Sequence, residues 1–121
     1  MKLEIYGNME KKTTNKAVVF FSSILGINIP YLEIYTFEGG LENGSCHQNS
    51  QDEYCIFLKE REFGHMLVTL AHELTHVKQY IKDNLAECYE TVTPYNDRWW
   101  EREAFEMESF LAQKMIEKVK E

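Results

Sequence analysis

The sequence predicts an α+β protein in which a short, mainly antiparallel sheet packs against helices. Three observations lead there. Tyr31–Phe37 and Glu53–Lys59 are short runs rich in β-branched, aromatic and aliphatic residues. Three longer stretches place apolar residues three and four apart, the spacing of one helical face. The elements follow in the order strand, helix, strands, helix, helix, without the strict alternation of a parallel, doubly wound sheet. A chain of 121 residues suits one domain spanning 1–121 and can bury a core without disulfides.

Residues 3–6 read as a first short strand. Thr13 or Thr14 is a candidate cap for a helix reaching Leu25, with Ala17, Val18, Phe21 and Leu25 on its apolar face, and Gly26 ends it. In Tyr31–Phe37, Leu32, Ile34 and Thr36 alternate with Tyr31, Glu33 and Tyr35, the pattern of a half-buried strand. Residues 38–52 hold Gly39, Gly40 and Gly44 among mostly polar residues and are expected to be a loop. Glu53–Lys59 is the next strand, 64–83 a long helix, 85–89 a short turn of helix, and 98–120 the last helix. Trp99 and Trp100 are expected to anchor that helix by packing.

Composition narrows the function. Lys and Arg number 13 against 20 Asp and Glu, a formal net charge of −7, which disfavours phosphate-driven binding to nucleic acid. Cys46, Cys55 and Cys88 have no paired-cysteine spacing, so neither a disulfide framework nor a zinc ribbon is expected. The N-terminal residues lack the apolar run of a signal peptide, and no stretch is long enough to span a bilayer. The expectation is a soluble cytoplasmic protein with neither nucleic-acid nor membrane partner.

The chemistry is concentrated in His72-Glu73-Leu74-Thr75-His76, an HExxH motif inside the long helix. Residues four apart lie above one another on a helix, so both imidazoles can bind one Zn²⁺. Glu73 projects beside the metal and is placed to act as general base, then general acid, on a zinc-bound water. A catalytic zinc needs a third protein ligand. No histidine follows His76, and His65 lies roughly 10 Å away along the helix axis, too far to share the ion. His47 reads as a surface residue of the loop. Cys46 and Cys55 open a Cys-His-His alternative, but the flanking residues do not resemble the peptide deformylase motif that uses one. The remaining candidates are Glu101, Glu103, Glu106 and Glu108 on the last helix. Glu103 shares a face with Trp99, Met107 and Phe110 and can point inward.

The motif, followed by Arg98, Trp100, Glu101, Glu103 and Ala104, resembles the small minigluzincin and SprT-like HExxH zinc metallopeptidases, many carried by phages. The Glu-x-Glu-Ala element also resembles ImmA/IrrE-type metallopeptidases. The resemblance covers about residues 53–110. It implies a zincin-like domain in which an active-site helix is followed by a C-terminal glutamate helix, and it does not reach the N-terminal helix read above. It also implies zinc held by His72, His76 and Glu103, the last because the ligand glutamate of gluzincins commonly precedes a small residue. SprT proteins proper use a third histidine and bind DNA, and this chain has neither the histidine nor the charge. Met107 stands four after Glu103, where gluzincins often carry an acid that orients the first histidine, so the sequence assigns that partner to no residue. The expected function is a zinc metallopeptidase hydrolysing peptide bonds of a peptide or protein substrate, the alternative a non-catalytic zinc module on the same fold. The strand at 54–58 is expected at the sheet edge, along the substrate cleft, with Tyr80, Tyr95 or Arg98 stabilising the oxyanion.

Overall fold

The computed structural model describes residues 1–90 and 98–119, which form four strands and four helices. In order they are β1 (Lys2–Tyr6), α1 (Lys11–Leu25), β2 (Tyr31–Phe37), β3 (Gly44–Ser50), β4 (Glu53–Lys59), α2 (Phe63–Lys82), α3 (Leu85–Cys88) and α4 (Trp99–Val119). The fold is α+β, but the sheet is mixed. Its order is β1-β2-β4-β3, with β1–β2 and β2–β4 parallel and only β3–β4 antiparallel. The expectation of a mainly antiparallel sheet is corrected here, and the cause is connectivity. Helix α1 carries the chain back between β1 and β2, and such a crossover joins parallel strands. The chain then descends β3 at the outer edge and returns up β4 between β3 and β2, parallel to β2.

Three other expectations change. The polar segment 38–52 contains a full strand, β3, whose side chains the apolar alternation could not reveal. Strand β4 is interior rather than at the edge, and β3 takes the edge. Helix α1 begins three or four residues earlier than expected, because the Glu10 carboxylate, not Thr13 or Thr14, accepts from the backbone N–H groups of Lys12 and Thr13.

Leu32 and Ile34 of β2 and Tyr54, Ile56 and Leu58 of β4 form the buried sheet face, packed with Val18, Phe21 and Leu25 of α1 and Leu70, Leu74 and Val77 of α2. Helix α2 is enclosed around most of its middle, with every residue from Leu70 to Val77 buried. The sheet and α1 cover its apolar stripe, and α4 covers the histidine face. One sharp junction deserves its residue: Gly7, after β1, has φ +105°, and a Cβ there would fall 1.9 Å from Thr36 Oγ1. Among the described residues no helix is long and apolar enough to cross a membrane.

Candidate metal centre

Helices α2 and α4 run antiparallel, which pairs the His76 level of α2 with Glu101 and the His72 level with Glu108. Trp100, Ala104 and Leu111 are the buried residues of α4. With Trp100 as zero on a wheel of 100° per residue, Glu101 and Glu108 fall roughly 80–100° to one side and Glu103 about 60° to the other. Only the first flank faces the histidines.

His76 Nε2 lies 2.7 Å from Glu101 Oε1, and His72 Nε2 lies 3.7 Å from Glu101 Oε2. His72, His76 and Glu101 each offer a ligand atom, all within 4.8 Å of one another. The structure gathers Glu101, and not the expected Glu103, with the paired histidines. Glu103 turns to the opposite flank, where its oxygens accept from Lys78 Nζ at 3.1 Å and from Gln79 Nε2 at 2.9 Å. The expectation for Glu103 rested on the small residue Ala104 after it and on a face shared with Trp99 and Phe110, both of which are exposed. The useful signal was the pair Glu101 and Glu108, seven apart and so on one flank beside the Trp100–Ala104–Leu111 stripe.

Hydrogen bonds fix both imidazoles. Gln79 is fully buried, and its amide nitrogen donates to the Trp100 carbonyl at 2.9 Å and to Glu103. Its Oε1 must then face His76 Nδ1, 2.7 Å away, so that Nδ1 carries the proton. His72 Nδ1 lies 3.0 Å from Glu108 Oε2, a carboxylate that only accepts, so this Nδ1 is also the donor. Both Nε2 lone pairs are left facing the Glu101 carboxylate. Two lone pairs and an anion at such separations need a cation among them, a proton or a metal ion. The donor set thus fits a divalent ion that accepts nitrogen and oxygen ligands, and the hydrogen-bonded Nδ1 groups are the usual support of ligating histidines.

Electrostatics agree with this geometry. In the metal-free chain a proton fills the place of that cation, and the hydrogen bonds from His72 and His76 then hold the Glu101 carboxyl well below the usual carboxylate range. Burial depresses the His72 imidazole, but its bond to Glu101 and the charges of Glu73, Glu101 and Glu108 outweigh that and leave its pKa raised. Glu73 is buried beside the pair, and that burial pushes its pKa up to about 7 against the opposing charges of His76 and His72.

The centre opens into a groove of about 670 Å³ between the start of β3, α2 and α4. Phe105 closes one side of it, its ring edge-on to His72 with centroids 4.8 Å apart. The other wall is the sheet edge. Asn43 O accepts from Lys59 N at 2.8 Å. Pairs alternate along an antiparallel ladder, so Asn43, Ser45 and His47 turn their main chain to β4 while Gly44 and Cys46 turn theirs to the open edge.

The remaining sequence candidates are dispersed. His65 is exposed at the far end of the groove, 3.8 Å from Glu62. His47 is exposed on β3, and Glu106 is exposed on α4. Cys46, Cys55 and Cys88 form no disulfide among the described residues, and none joins the ligand group. Of the proposed oxyanion donors, Arg98 lines the groove, Tyr80 stands behind it between Tyr54 and Tyr89, and Tyr95 lies outside the described residues. Tyr89, which the sequence did not single out, also lines the groove, with its ring edge-on to Trp100. No family model, curated protein or solved structure matches the chain.

Proposed function

We propose that this chain is a zinc-dependent peptidase of the gluzincin kind on a zincin-like fold, with Zn²⁺ held by His72, His76 and Glu101. The observation that carries the reading is the convergence of two Nε2 lone pairs on the Glu101 carboxylate, with each Nδ1 anchored, beside the buried Glu73. Two histidines and a glutamate with one open position are a known ligand set of catalytic zinc. The ion, when bound, polarises a carbonyl oxygen and lowers the pKa of a water.

The chain's own residues supply the rest. Glu73, buried beside the paired histidines, takes a proton from the attacking water and returns it to the leaving amine. Arg98 and Tyr89 bring hydrogen-bond donors to the same groove for the developing oxyanion. An extended peptide gains affinity by pairing with the open main-chain groups of Gly44 and Cys46. The test is Glu73→Gln: zinc content at the wild-type level, with cleavage of a peptide library lost. Undiminished cleavage by that variant, or a zinc-loaded wild type that cleaves no peptide, contradicts the proposal.

A further inference from the structure

Gly44 lies where the open edge strand packs against the helix that carries Glu73. A Cβ on Gly44 would lie 2.7 Å from Thr69 Cγ2, 2.8 Å from Phe57 O and 3.3 Å from Glu73 Oε2. Positive-φ residues of the chain do not include Gly44, so space and not backbone conformation requires glycine here. Its N–H and C=O groups face the open edge, so a peptide strand added there registers on the same residue that rests against Glu73. Side-chain volume at this position sets the gap between β3 and α2, and with it the approach of a docked chain to the carboxylate. The metal ligands lie on α2 and α4, not on β3.

We propose that Gly44 is a positioning residue that fixes how closely a chain docked on β3 approaches Glu73, so that bulk at position 44 controls turnover without controlling metal binding. This rests on the peptidase reading. The test compares zinc-loaded wild type, Gly44→Ala and Gly44→Ala/Thr69→Ser, the last removing the methyl that a new Cβ would meet first. Each is assayed on one cleavable peptide and titrated with acetohydroxamate, which probes the ion, and with a peptide hydroxamate, which also spans the strand edge.

Gly44→Ala is expected to keep its zinc and its acetohydroxamate affinity, to lose at least tenfold in kcat and in peptide-hydroxamate affinity, and to recover part of both when Thr69→Ser is added. Wild-type behaviour of Gly44→Ala in both assays overturns the proposal. So does joint loss of zinc, thermal stability and turnover that Thr69→Ser does not relieve, which would make Gly44 a packing residue only. A wild type that binds zinc but cleaves nothing fails the peptidase reading, while the peptide-hydroxamate comparison still decides the role of Gly44.

Discussion

Replacing Glu101 and Glu103 in turn separates two carboxylates that lie two residues apart and do different things. Structural zinc sites are bound with roughly 10–16 kcal/mol, so with three or four ligands each contributes about 3–5 kcal/mol. Glu101→Ala should therefore weaken zinc binding by roughly 10²–10⁴-fold. Glu103 touches no ligand atom. It accepts from Gln79, whose amide nitrogen keeps its second acceptor in the Trp100 carbonyl. Even a direct hydrogen-bond partner of a ligand is worth only about 10–100-fold in affinity. Glu103 is one bond further removed, so Glu103→Ala should cost about tenfold or less by the same scale. Lys78 would lose one partner and keep Asp83, at 2.9 Å. Competition of each variant against a chromophoric chelator measures the affinities directly. Loss of zinc in Glu103→Ala together with retention in Glu101→Ala would refute the assignment.

Other perturbations follow from the same geometry. Gln79→Ala removes the acceptor of His76 Nδ1 and should reduce zinc affinity by about 10–100-fold, read in the same titration. In the metal-free chain, Glu73 has its pKa raised from 4.5 to about 7. An acid raised on folding destabilises the folded state as pH climbs through that window, so Glu73→Gln should gain about 2–3 kcal/mol on the metal-free wild type at pH 8 and nothing below pH 4, measured by urea unfolding. Gly7→Ala combines a positive φ with a clash against Thr36 Oγ1, and should lower stability by about 1–3 kcal/mol while leaving zinc affinity unchanged. Saturating zinc at 100 times its Kd should stabilise the wild type by about 2.7 kcal/mol, and a chelator should reverse this.

The legible parts of this protein were those with strong periodicity or fixed spacing. Leu32 and Ile34 alternate, the long helix carries its apolar stripe, and His72 and His76 sit one turn apart; each of these local patterns survives intact in the fold. The parts that were not legible depend on distant partners. Strand β3, with the sequence GSCHQNS, is defined by pairing with β4 and lacks an apolar face of its own. The strand directions depend on which connection crosses the sheet. The choice of Glu101 over Glu103 depends on which tryptophan is buried, and adjacent tryptophans give no local signal for that. Trp100 packs inward while Trp99 is exposed, and this rotates the helix so that Glu101 and Glu108 meet the histidines. Of the hydrogen-bond partners of the imidazoles, Gln79 stands three residues after His76 on the same helix, a local spacing, whereas Glu108 reaches His72 only through the packing of the antiparallel neighbour.

Anomalous diffraction at the zinc edge from crystals of the zinc-loaded chain addresses the central claim without intermediaries. A single strong peak is expected within about 2.0–2.2 Å of His72 Nε2, His76 Nε2 and a Glu101 oxygen. A peak coordinated by Glu103 or a cysteine, or no peak at the paired histidines, would contradict it.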